Sequence, residues 1–172
     1  MAQGAEAVWA AIEKQRIAML TTLQDSQLVS RPMASLARPA DGRIYFVTRV
    51  DDKISEIGGS APVNLAYSDQ DKNTYVSISG LARTSQDREK LRELWSMWTE
   101  AWLPQGPDGD DVALITVEPE EAKIWDSTSS TLVYTGQVLA AVVRQRPPDG
   151  GHVEQVSMED ASTKELEKSD DR

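Results

Sequence analysis

The chain has 172 residues, 40% of them apolar, with a formal net charge of −10 and a pI near 4.6. That length allows one domain with a real core, and the acidic balance lacks the basic footprint of a nucleic-acid binder. The absence of cysteine excludes disulfides, zinc–thiolate sites, iron–sulfur clusters and thiol catalysis.

Residues 5–16 read as an N-terminal helix, with Val8, Trp9 and Ile12 on one side and Glu13, Lys14 and Arg16 on the other. The period then becomes strand-like. IAMLTTLQ ends at the turn signal Asp25-Ser26, and LVSRPMASLA follows to the Pro39-Ala40-Asp41-Gly42 turn. RIYFVTRV is the clearest strand of the chain. Pro32 removes one ladder donor inside the second strand, which marks an edge or a bulge.

Asp51 and Asp52 can cap a short helix, KISEIG, ended by Gly58-Gly59. APVNLAYSD and TYVSISGLART are the fourth and fifth strands, with Gly80 marking a bulge or close backbone approach in the latter. Over 85–102 a helix is expected, with Leu91, Leu94, Trp95, Trp98 and Trp102 on one stripe. That stripe packs into the core, or else walls a pocket or a subunit contact. VALITVEPEEAKIWD, residues 112–126, supplies two closing strands interrupted at Pro119. TLVYTGQVLAAVVR is ambiguous between strand and helix.

From residue 147 the composition turns to PPDGGH and then to an acidic stretch without aromatics, with seven acidic and three basic residues from Glu154 onward. A disordered tail over 147–172 is expected, leaving one domain over 1–146. The lone His152 reads as a solvated loop residue, so Ser/His/Asp catalysis and multi-His metal binding have no support, and no metal site is expected. No run reaches 18 apolar residues, so no membrane span is expected. The N-terminus has no basic n-region of a secretory signal, which together with the missing cysteines fits a cytoplasmic protein.

Short strands with hairpin links imply an antiparallel sheet closed into a small barrel with helices at its ends. Neither a G-x-G-x-x-G turn nor a Walker lysine loop is present. What remains is a constellation: Arg31 in the second strand, Thr48 near the end of the third, and Lys53 in the first turn of the short helix. A guanidinium, a hydroxyl and an ammonium at a helix start are the groups that bind a phosphate.

The run from Ile17 to Trp125 resembles the FMN-binding split-barrel superfamily, the pyridoxamine 5′-phosphate oxidase-like proteins, and within it the bacterial general stress proteins. The likeness rests on SRPM at 30–33, IYFVT at 44–48, Lys53, PVNLAYSD at 62–69, YVSISGLART at 75–84 and EPEEAKIWD at 118–126, in the family's order. It implies a mainly β fold with flanking helices, an antiparallel split β-barrel of six to seven strands. It also implies a homodimer holding flavin at the subunit interface, FMN first and FAD left open. By the resemblance, Arg31 and Lys53 are the phosphate cations. Pro32, Met33, Val47 and Thr48 line the isoalloxazine and ribityl side, partly through backbone groups. Tyr75 stands where the oxidase has a glutamine reaching the flavin, and Trp125 contacts it from the other subunit.

Two positions depart from the oxidase. Asp52 stands where a second basic residue precedes the lysine, and the residues after Trp125 lack the oxidase's basic, substrate-binding segment. The resemblance therefore implies an FMN-dependent oxidoreductase on an unidentified small molecule, a flavin-holding stress protein, or a dimeric interaction module without ligand. None of the Asp or Glu residues stands out as a general base, so no catalytic residue is named.

Overall fold

The period of the first helix decides what plugs the barrel. In α1 (Ala2–Glu13) Ala5, Val8, Trp9 and Ile12 are buried at helical spacing, and they join the main core against Ala37, Val156 and Met158. The computed structural model describes residues 2–50, 57, 59–126 and 152–158.

β1 (Ile17–Gln24) turns through Asp25 and Ser26, both at positive φ, into β2 (Gln27–Ala34). Positive φ at both central residues gives the two-residue turn that matches strand twist. At Ser35 the ribbon leaves β1: its N–H donates to the Arg16 carbonyl at 2.9 Å, and β3 (Leu36–Arg38) pairs instead with β4 (Arg43–Arg49). The second strand expected from sequence is thus two strands joined by a bend. The hydroxyl of Tyr67, pushed up to about 12 by burial, is hydrogen-bonded to Ser35 Oγ at 2.8 Å and pins that bend.

β5 (Ala61–Asp69) and β6 (Thr74–Ser85) form a hairpin, and β7 (Val112–Asp126) pairs along the whole of β6. The sheet order is β2-β1-β5-β6-β7-β4-β3, and the β2–β3 ribbon joins its two ends. This is an antiparallel split β-barrel. Three expectations need correction. The closing strands are one strand, β7, because Pro119 falls opposite Gly80 at a register shift and the ladder resumes beyond it. The expected 85–102 helix is two, α2 (Arg88–Leu94) and α3 (Met97–Trp102), because Ser96 is extended and its side chain accepts from Thr99 N–H, starting a new helix.

The third correction falls in the segment expected to be tail. His152–Ser157 form β8, paired to the second half of β7 while β4 pairs to the first half. Val156 and Met158 are buried beside α1, so two apolar residues at strand spacing outweigh the polar composition around them. Residues 159–172 and the ambiguous 131–144 segment lie outside the described residues, as does the 53–57 helix apart from the buried Ile57.

A second core lies on the outer side of β4 and β7, where Tyr45, Leu114 and Val112 meet Leu91, Leu94 and Leu103. Its rim carries a clamp. Lys90 Nζ lies 2.8 Å from Asp41 Oδ2, Tyr45 OH donates to the same oxygen at 2.9 Å, and the ammonium sits 5.1 Å from the Tyr45 ring centroid. The Lys90 hydrogen bond, aided by the one from Tyr45, outweighs desolvation and holds the Asp41 carboxyl below its ordinary 3.8. A depressed carboxylate stabilises the fold above its unfolded pKa, and this contribution fades as pH falls through the lowered folded value. Asp41→Asn should therefore cost about 1–2 kcal/mol at neutral pH, and in urea melts the difference from the parent should shrink once pH drops below that folded value. A pH-independent difference would contradict the clamp.

Candidate functional site

Alternation along β2 sorts its residues. Leu28, Ser30, Pro32 and Ala34 are exposed, whereas Val29, Arg31 and Met33 are half-buried. Arg31 stands directly opposite Leu20, a fully buried core residue, so its side chain leaves on the barrel's inner side. Among the described residues its guanidinium has no ion pair and no hydrogen bond. A half-buried cation without a counter-charge carries a desolvation cost that a bound anion would offset.

Thr48 shares the side of Ile44 and Phe46, both core residues. Among the described residues its hydroxyl reaches only the Arg49 carbonyl, at 3.5 Å, beyond the usual hydrogen-bond range. β2 and β4 approach each other across the split; Arg31 lies on the first and Thr48 on the second, and strand parity puts both side chains on the inner side. Their donor set fits a phosphate. Lys53, four residues past the end of β4, lies outside the described residues, as does Asp52.

The other expected residues divide between surfaces. Met33 packs on the main core from the inner side. The Val47 side chain does not face the split: it packs into the second core, because β4 alternates and Tyr45 lies on the same side. Only the Val47 backbone is left to meet a ligand. Pro32, Tyr75 and Trp125 point outward. Tyr75 and Trp125 are direct cross-strand neighbours, 44% and 37% exposed, and form one aromatic pair on the outer sheet face.

That outer face holds residues that sequence reasoning did not single out. Ile17, Met19, Pro32, Ala34, Ala66, Tyr75 and Trp125 make a band from β2 to β7, in which Ile17 and Met19 are exposed large side chains. Beside it runs a polar row, with Thr21 Oγ1 and Ser30 Oγ 2.7 Å apart and Asn64 Nδ2 donating to Ser77 Oγ at 2.8 Å. The signal was present in IAMLTTLQ: apolar residues at both parities mean a strand with two faces to cover.

A separate groove of about 210 Å³ lies between α1 and the end of the β5–β6 hairpin, edged by Ala7, Ala11, Lys14, Tyr67, Lys72 and Thr74. It is smaller than the ~300–1,000 Å³ usual for ligand pockets, and none of the residues expected to bind flavin lines it. Among the described residues there is no cluster of His, Cys, Asp or Glu able to hold a metal, and no helix long and apolar enough to cross a membrane.

The profile of the family described as "Pyridoxamine 5′-phosphate oxidase like" matches residues 3–149. The chain belongs to that family. The pyridoxamine 5′-phosphate oxidase-like fold is also what the similar solved structures show. A protein of Jannaschia sp. CCS1 assigned to general stress protein 26 is 26% identical, with a TM-score of 0.72 over 91% of this chain and 99% of its own. The general stress FMN/FAD binding protein of Xanthomonas citri is 28% identical, with a TM-score of 0.66 over 76% and 93% of the two chains. Protein bli-3 of Neurospora crassa is 23% identical over 161 residues, 86% of this chain and 77% of its own.

Proposed function

We propose that this pyridoxamine 5′-phosphate oxidase-like protein is a cytoplasmic, homodimeric flavoprotein that binds FMN and acts as an oxidoreductase on a small molecule. The observation that carries the reading is Arg31, a half-buried guanidinium with no partner among the described residues, on the inner side of β2, with the loosely held Thr48 hydroxyl on the inner side of β4. Arg31 supplies the planar fork that suits phosphate, and Lys53 adds a point charge. The similarity to an FMN/FAD binding protein supports the same choice of ligand. Bound flavin supplies hydride and one-electron chemistry.

The chain's own part is to hold and shield. Arg31, Thr48 and Lys53 take the phosphate end, the Val47 backbone and Met33 bound the inner side, and Tyr75 and Trp125 meet the flavin at the surface shared by two copies. The outward band of Ile17, Met19, Ala66, Tyr75 and Trp125 is the face on which the second copy sits, because exposed apolar side chains gathered on one sheet face mark an interaction site. Static light scattering at micromolar concentration should give the mass of a dimer; a monomeric mass would contradict this part of the reading.

A second reading, a flavin-holding stress protein without turnover, is favoured by one observation. The described groups with displaced pKa values, Asp41, Tyr45, Tyr67 and Lys90, all serve the clamp or the β2–β3 bend, and none lies beside Arg31. Anaerobic addition of NADPH or NADH separates the two. Bleaching of the flavin band, followed by its return in air, supports the oxidoreductase; a band that persists supports the flavin holder.

A further inference from the structure

α3 is a helix with nothing of its own to bury. None of its six residues is buried, and its large side chains lie outward: Met97 is 77% exposed, Trp98 65% and Trp102 81%. A helix this short is not stable by itself. It is held by its Ser96 cap and by Leu103, the residue after it, in the second core. The indoles therefore contribute little to the fold of one chain, although two tryptophans and a methionine in six residues offer about 150–250 Å² of apolar area per indole.

The neighbourhood of α3 says where that area is used. The Arg16 guanidinium lies 5.5 Å from the Trp98 ring centroid, and Arg16 immediately precedes Ile17, the first residue of the outward apolar band. Trp98 thus stacks on the residue that leads into Ile17, at the end of the band where Ile17 pairs with Ala34. The band itself is rich in small side chains, Ala34, Ala66 and Pro32 among them. A standard interface covers about 800 Å² per partner, and two indoles bring the surface much nearer that figure than the band does alone. Tryptophan and methionine are also the residues enriched where proteins meet. Arg16 holds Trp98 in place before contact, which lowers the ordering cost of docking.

We propose that α3 is part of the dimer seat, with Trp98, Trp102 and Met97 packing on the second copy of this chain. This rests on the dimer reading above, but it assigns a second element to the contact and gives the tryptophan face an occupant. The test compares the dimer dissociation constant, by analytical ultracentrifugation of the full chain, across four forms. These are the parent, Met19→Asp, the double variant Trp98→Ala/Trp102→Ala, and the triple variant.

The expected result is at least tenfold weaker association in the double variant, a monomer for Met19→Asp, and equal melting temperatures for Met19→Asp and the triple variant. A parent that is monomeric overturns the dimer reading and this proposal together. A dimeric parent with unchanged association in the double variant overturns α3's role while leaving the sheet contact in place. A melting temperature that falls when the indoles are removed from the monomeric Met19→Asp background would show that the chain's own residues cover α3, and would also overturn it.

Discussion

Gly80→Ala is expected to destabilise the protein by about 3 kcal/mol or more. A Cβ built on Gly80 would lie 2.2 Å from the Glu118 carbonyl oxygen and 3.0 Å from the Pro119 Cα. Both obstacles are backbone, so no side chain can swing aside, and β6 and β7 would have to separate at their shared register shift. Those two strands carry every other part of the barrel: β5 and β1 hang on β6, and β4 and β8 on the two halves of β7. For a chain of this size the loss corresponds to a melting temperature lower by roughly 6–12 °C. Ser79→Ala, one residue away with an exposed side chain, is the control and should shift it little. Equal, small shifts in both variants, read by circular dichroism, would contradict the close approach.

Arg31→Ala is expected to weaken FMN binding at least tenfold, equivalent to about 1.4 kcal/mol or more for one lost charge-assisted contact. The substitution removes a guanidinium that makes no hydrogen bond or ion pair to any described residue, so the fold should survive it and the loss should appear in ligand affinity. Lys53→Ala should act in the same direction. Arg43, which pairs with Glu118 at 3.1 Å on the exposed surface, is the matched control: Arg43→Ala removes the same charge and should leave FMN affinity unchanged. Comparable losses in Arg31→Ala and Arg43→Ala would mean that FMN responds to net charge alone. Unchanged affinity in both Arg31→Ala and Lys53→Ala would remove the phosphate assignment.

The strands were legible because their signals were local. Asp25-Ser26 and Gly42 mark turns that the structure realises at positive φ, and the alternation of β6 places Val76 and Ile78 in the core as its sequence implies. Gly80 was recognised as a bulge or close approach, and the structure supplies its cause in Glu118. What the sequence could not carry were events decided between elements. The bend at Ser35 depends on a hydrogen bond to Arg16 and on Tyr67 from a distant strand. The Trp stripe read as one helix because Trp95, Trp98 and Trp102 keep helical spacing, yet Ser96 caps a new helix and turns two of the three outward.

The candidate site was legible in part for the same reason. Arg31 and Thr48 were singled out by residue type, and strand parity then puts both on the inner side of the split. Val47 came from the resemblance alone, and its side chain turns away because its direction depends on the second core formed by α2 and its flanking residues. Tyr75 and Trp125, far apart in sequence, came from the family resemblance, and only the β6–β7 register makes them neighbours.

The central claim is that the split between β2 and β4 holds a flavin phosphate. Titration of FMN into purified, flavin-free protein, followed by flavin fluorescence, tests it most directly. The account predicts quenching that saturates with micromolar or tighter affinity, about −8 kcal/mol or more favourable. Fluorescence that rises linearly with added FMN, with no quenched component, would contradict it and leave a split barrel whose Arg31, without a partner among the described residues, serves some other anion.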